Sequence, residues 1–142
     1  MRYKHALALV GAIATGMLVL AQPAPAQNDP VYDVHPDKKV NRATYNGYRR
    51  YSDSCMRCHG PDGAGSSYAP DLTRSLKSLS YEQFAETVIN GRKNVTTASE
   101  NVMPAFGTVE DVVLYMNDIY GYLKARSDDK IGRGRPERFD DN

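Results

Sequence analysis

The chain has 142 residues, a length that suits one domain, and its 18 basic and 17 acidic residues give a formal net charge of +1. No basic block is long enough to engage nucleic acid. Its two cysteines, Cys55 and Cys58, share one short motif, which rules out a disulfide scaffold.

The N-terminus reads as an export signal. Arg2 and Lys4 supply a positive start, Ala6 to Ala21 is an apolar run without charge, and Ala24-Pro25-Ala26 offers a small-x-small cleavage site. The run falls short of the roughly 20 residues that cross a bilayer. Cleavage of residues 1–26 is therefore expected, with no stable membrane anchor afterwards and a periplasmic mature chain. Without Arg2 and Lys4, the 18 basic residues become 16 against 17 acidic ones.

Residues 27–40, broken by Pro30 and Pro36, read as an extended leader. A first helix is expected over 41–53. Gly47 is out of place there, since glycine costs about 1 kcal/mol against alanine in a helix, and such a glycine marks a close helix approach. Residues 59–79, rich in Gly, Ser and Pro, read as a loop without strands. A second helix is signalled by Ser80-Tyr81-Glu82-Gln83, a capping box, with Leu79 and Phe84 placed as a hydrophobic staple and Gly91 as the stop. Asn94-Val95-Thr96 matches a glycosylation sequon, read here as a chance occurrence in a polar loop. A third helix is expected from Thr108, capped with Asp111, with Val109, Val112, Val113, Met116, Tyr120 and Leu123 at helical spacing. Lys124 and Arg126 suit its last turn. Residues 127–142 form a polar tail whose composition points to a solvated end.

The chemistry lies in Cys55-Met56-Arg57-Cys58-His59, the C-x-x-C-H pattern of covalent haem attachment. The spacer separates two thiols so that they can add across two vinyl groups. His59 then falls under the iron as proximal ligand. A thioredoxin-like redox pair would need a βαβ setting, and a zinc site would need a second pair of ligands; neither is apparent. An exported chain is also what covalent haem attachment requires.

These residues, with Gly47-Tyr48-Arg49-Arg50-Tyr51 before the motif and Tyr122-Leu123 after it, resemble the class I cytochromes c over nearly all of the mature chain. The resemblance implies an all-α fold, three to five helices and long loops around one haem c, with residues 41–126 as the cytochrome domain. It implies that Gly47 lets the N-terminal helix cross the C-terminal one. It points to Met103, in Val102-Met103-Pro104-Ala105-Phe106, as sixth iron ligand, a soft thioether that favours ferrous iron. Met116 fits core packing better, Met56 lies inside the attachment spacer, and Met17 leaves with the signal. His35, in the leader, is the rival ligand, and an open or water-bound position is a third alternative. Pro70 resembles the family's loop proline, whose carbonyl orients the proximal imidazole. The family's usual tryptophan beside a propionate has no counterpart, since the chain contains none; Arg74, Arg92 or a tyrosine could donate instead.

Ile131-Gly132-Arg133-Gly134-Arg135-Pro136-Glu137, Tyr68-Ala69-Pro70-Asp71-Leu72 and Met103-Pro104-Ala105-Phe106-Gly107 resemble the methanol-metabolism-related cytochromes. A small haem protein with both axial positions filled has no place to bind substrate, so a single-electron carrier and not an enzyme is expected, as a monomer; the resemblance adds the partners. Its donor would be a periplasmic PQQ-dependent (quinoprotein) alcohol dehydrogenase, and its acceptor a downstream cytochrome or terminal oxidase. A general shuttle between a quinol-oxidising complex and an oxidase, or a gas-binding sensor haem, are the alternatives.

Overall fold

The computed structural model describes residues 31–95 and 100–139. The expected signal segment lies outside these residues. Helix α1 spans Arg42–Ser54, α2 Met56–His59, α3 Leu72–Ser75, α4 Tyr81–Asn90, α5 Glu110–Leu114 and α6 Met116–Ser127. A 3-10 turn covers Pro61–Gly63, and strands β1 (Arg92–Val95) and β2 (Glu100–Met103) form one antiparallel hairpin. The fold is mostly helical, as the sequence implied, with α1, α4 and α6 as its long members.

Helix α1 begins where Asn41 caps it, its Oδ1 accepting from the Thr44 amide at 2.9 Å. It packs chiefly on α6. Gly47 lies at the crossing. A Cβ there would sit 1.8 Å from the Asp118 carbonyl oxygen and 3.0 Å from Tyr122 Cβ. The absent side chain thus lets one helix backbone touch the other. Tyr48 and Tyr51 of α1 both meet the Tyr122 ring, each at 5.6 Å between centroids, in the tilted and edge-on geometries aromatic pairs prefer. Tyr51, Tyr122, Ile119, Leu123 and Val112 are almost fully buried around this crossing, and Leu76 is buried with them.

Helix α4 forms as its sequence signals. The Ser80 Oγ accepts from the Gln83 amide at 3.3 Å, and Gln83 Oε1 accepts from the Ser80 amide at 3.0 Å. Gly91 ends the helix at φ 72°, a left-handed conformation that favours glycine.

Three expectations are corrected. The single third helix is two. Val109, not Thr108, occupies the N-cap of α5, with no side-chain cap, and α5 and α6 break at Tyr115 (φ −109°, ψ 24°). The break turns α6 so that Met116, Ile119, Tyr120 and Leu123 are buried, while Val109 and Val113 are exposed. Second, residues 92–103 contain a hairpin rather than loop alone, pairing Arg92 with Met103 and Lys93 with Val102. Four-residue polar strands carry no alternating pattern, so only backbone pairing reveals them.

Third, the leader and tail are built into the fold. The Val40 amide donates to the Glu137 carbonyl at 2.9 Å, and the Phe139 amide to the Val40 carbonyl at 3.1 Å. The His35 and Phe139 rings stack at 4.0 Å, and the Tyr32 hydroxyl donates to Asp128 at 2.9 Å. Burial, and then the Asp128 carboxylate, push that hydroxyl up to about 12. Val40 and Ile131 are buried. The tail's polar groups find partners on the body, which composition cannot register.

The Gly47 crossing yields a direct prediction. Overpacking costs about 1–3 kcal/mol, and each kcal/mol shifts the midpoint of a domain this size by roughly 4–8 °C. Gly47→Ala should lower the thermal midpoint of the haem-loaded protein by about 10 °C, followed by far-UV circular dichroism. An unchanged midpoint would show that the crossing yields freely.

Candidate haem site

Cys55 ends α1 and opens α2. Its carbonyl accepts from the Cys58 amide at 3.1 Å and the His59 amide at 3.0 Å. One helical turn therefore sets the two thiols three residues apart on one face and His59 directly beyond. Both cysteines are free, Cys55 half-buried and Cys58 exposed. Burial, and then Cys58 nearby, push the Cys55 thiol up to about 11. It is neutral at neutral pH, in a setting that an uncharged thioether can occupy.

His59 is buried, and its Nδ1 lies 3.1 Å from the Pro70 carbonyl oxygen. A carbonyl can only accept, so Nδ1 donates to it, leaving Nε2 as the ring nitrogen that could face a metal. Pro70 reaches this position because the turn after His59 folds back tightly. The Gly65 amide donates to the His59 carbonyl at 2.8 Å. Gly65 adopts φ 84°, and a Cβ on it would lie 2.7 Å from the Asp71 nitrogen and 3.1 Å from the Pro70 carbonyl carbon. Ser66 Oγ donates to the Cys58 carbonyl at 2.5 Å, and the Ser66 amide to the Ala69 carbonyl at 2.9 Å. The Tyr51 hydroxyl of α1 donates to the Gly60 carbonyl at 2.5 Å. The attachment turn is thus fixed both to itself and to α1.

Met103 is half-buried at the end of β2 and packs against the hydrophobic core. A strand end, not the loop the sequence suggested, presents it. The segment after it is fastened to α4: the Phe106 amide donates to the Val88 carbonyl at 2.9 Å, and the Gly107 amide to the Ile89 carbonyl at 3.1 Å. A Cβ on Gly91 would lie 2.6 Å from the Met103 carbonyl oxygen. The glycine that stops α4 therefore also admits the methionine strand. Arg92 lies across the hairpin from Met103, and Arg74 lies on α3; both side chains are exposed. His35 stacks on Phe139, within the pairing of leader and tail.

The donor set fits a covalently held haem. Two unpaired thiols lie on one helical turn, followed by a buried imidazole whose Nδ1 faces the Pro70 carbonyl. Among the described residues, no three His, Cys, Asp or Glu side chains cluster as a metal site, so the second ligand pair of a zinc centre is missing there. The sheet is a two-stranded antiparallel hairpin, not the βαβ unit of a thiol oxidoreductase.

A family model described as cytochrome c oxidase, cbb3-type, subunit III matches residues 42–116. The chain belongs to the class I c-type cytochromes, and its cofactor is covalently bound haem c. Among its relatives, cytochrome c-553I of Paracoccus denitrificans is 47% identical over 116 residues, covering 82% of this chain and 51% of the relative. The chain thus spans about half the length of that protein. Cytochrome c-555 of Methylococcus capsulatus (strain ATCC 33009 / NCIMB 11132 / Bath) is 41% identical over 100 residues, 70% of this chain and 75% of the relative. The crystal structure of the c-type cytochrome XoxG from Methylobacterium extorquens AM1 is similar with a TM-score of 0.65 and 40% identity, covering 82% of this chain and 77% of that one.

The sequence does not mark Ser66 or Tyr51 at this site: Ser66 sits in a stretch that reads as generic turn formers, and Tyr51 reads only as part of the helix crossing.

Covalent attachment has a simple check. Replacing both Cys55 and Cys58 with serine should leave any haem extractable into acidified butanone, whereas the parent protein should keep its haem with the polypeptide. Retention of haem by the double variant would refute thioether attachment at this motif.

Proposed function

We propose that this chain is a periplasmic single-electron carrier whose haem iron is held between His59 and Met103. Its donor is a PQQ-dependent methanol or alcohol dehydrogenase, and it passes electrons to a downstream cytochrome or terminal oxidase. The observation that carries the ligand reading is the Nδ1 contact of His59 with Pro70 at 3.1 Å. It turns Nδ1 to the carbonyl and leaves Nε2 as the nitrogen that would hold the iron.

Bound haem supplies reversible one-electron chemistry. The chain's residues supply the rest. His59 is oriented by Pro70 through that hydrogen bond. Met103 offers a neutral thioether, which favours ferrous iron. With His59 and Met103 both holding the iron, no place would be left for a substrate, so the role would be transfer rather than catalysis. Export fits the residue pattern of 1–26, and no helix among the described residues is long and apolar enough to cross a membrane.

The donor assignment rests on the resemblance of residues 68–72, 103–107 and 131–137 to the methanol-metabolism-related cytochromes, and on the likeness to XoxG. Encounters of carriers with donors use small interfaces steered by charge.

Two measurements test these readings separately. Met103→Ala should lower the reduction potential and abolish the ferric sulfur-to-iron band in the far red; survival of that band would exclude Met103 as ligand. Stopped-flow reduction of the ferric protein by a turning-over quinoprotein alcohol dehydrogenase should be fast and should slow as salt is raised. Slow, salt-insensitive reduction would favour a general shuttle between a quinol-oxidising complex and an oxidase.

A further inference from the structure

Among the described residues, Asp62 is the only carboxylate side chain that the fold buries, at 8% exposure. It sits three residues after His59 in the Pro61–Gly63 turn, with φ 63°. That left-handed conformation is uncommon outside glycine, though aspartate and asparagine tolerate it better than most residues. A buried carboxylate is strongly unfavourable unless its oxygens are paired. Here both oxygens are paired, and both partners come from the C-terminal segment. The Gly134 amide donates to Oδ1 at 2.8 Å, and Arg133 Nε donates to Oδ2 at 3.2 Å. From α6, Arg126 Nε reaches the Asp62 carbonyl at 3.4 Å, while its other guanidinium nitrogen donates to the Ile131 carbonyl at 2.9 Å. The tail therefore closes on the haem-attachment turn through one side chain.

That turn leads directly to the imidazole. Asp62 lies inside the loop closed by the Gly65 amide on the His59 carbonyl. Gly65 packs against the Pro70–Asp71 backbone, and the Pro70 carbonyl orients His59. Fixing Asp62 thus fixes the turn, the approach of Gly65 and the carbonyl that holds Nδ1.

Charge acts at the same place. Asp62 is withdrawn from water, whereas the Arg133 side chain is 73% exposed. The buried charge is the less screened of the two.

We propose that Asp62 is a positioning residue for the haem, through which the C-terminal segment sets the orientation of His59 and the charge on that side of the iron. This rests on His59 as the proximal ligand. A negative charge on the turn that follows His59 would favour the ferric state, and Arg133, 3.2 Å from the carboxylate, would offset part of it.

The test uses the haem-loaded protein and three variants, Asp62→Asn, Arg133→Gln and the double variant. Asparagine tolerates the same backbone and keeps an acceptor for the Gly134 amide, and Arg133 is exposed, so each should fold. Spectroelectrochemical titration should show the potential rising in Asp62→Asn and falling by less in Arg133→Gln, with the double variant above the parent. The ferric haem-methyl proton resonances, which report the plane of the axial imidazole, should shift in Asp62→Asn. A merely structural loosening would move both single variants in the same direction; that result, or unmoved potentials with unmoved resonances, overturns the proposal. Failure of the underlying reading is separable, because the parent protein itself would then lack the hyperfine-shifted imidazole protons of an iron-bound histidine.

Discussion

The contact on which the rest depends is the backbone approach of α1 to α6 at Gly47. A helix pair separated by ordinary side chains lies 8–10 Å apart. Here the glycine removes the spacer, and the Asp118 carbonyl occupies the place a Cβ would need. The approach brings Tyr51 against Tyr122. Tyr51 is buried with its ring in the crossing, and its hydroxyl reaches the Gly60 carbonyl. One residue thus belongs both to the helix packing and to the haem-attachment turn. Moving the crossing would move the turn.

The turn is held by polar satisfaction as much as by packing. The carbonyls of Cys58, His59, Gly60 and Asp62 each receive a donor: the Ser66 hydroxyl, the Gly65 amide, the Tyr51 hydroxyl and the Arg126 guanidinium. These donors come from the turn itself, from α1 and from α6. The bond to the Gly60 carbonyl is buried, and a buried carbonyl left without a donor is costly, so it resists displacement of the segment. A histidine on such a segment is held in place by its surroundings, which is the condition for a precise site.

How much of this was legible depended on the range of each signal. Cys55, Cys58 and His59 could be read as a haem-attachment motif because their chemistry and spacing lie within five residues. Helix α4 was legible for the same reason, since Ser80, Gln83 and Gly91 act on their own helix. Gly47 was readable as an anomaly, and the family resemblance supplied its partner. The hairpin was not legible. Its strands pair through backbone groups, and neither carries a period-two pattern. The break at Tyr115 was hidden because the apolar spacing continues across it, although the faces do not. The tail misled through composition: nothing local marks Arg133 and Gly134 as partners of Asp62, and Ile131 is a single apolar residue among polar ones.

The termini explain how so small a core suffices. A domain of this size buries a modest fraction of its surface, and several of its large core side chains are tyrosines that carry a polar end. Val40 and Ile131, from the two segments flanking the helices, are buried alongside them. The backbone bonds between Val40 and residues 137 and 139 hold the two segments together, and Tyr32 with Asp128 adds a second tie. The same C-terminal segment then ends one of its arms on Asp62. Closure of the core and fixation of the attachment turn therefore share one set of contacts. Loosening the tail would act on the haem side of the molecule as well as on its stability, even though the tail contains none of the proposed haem ligands.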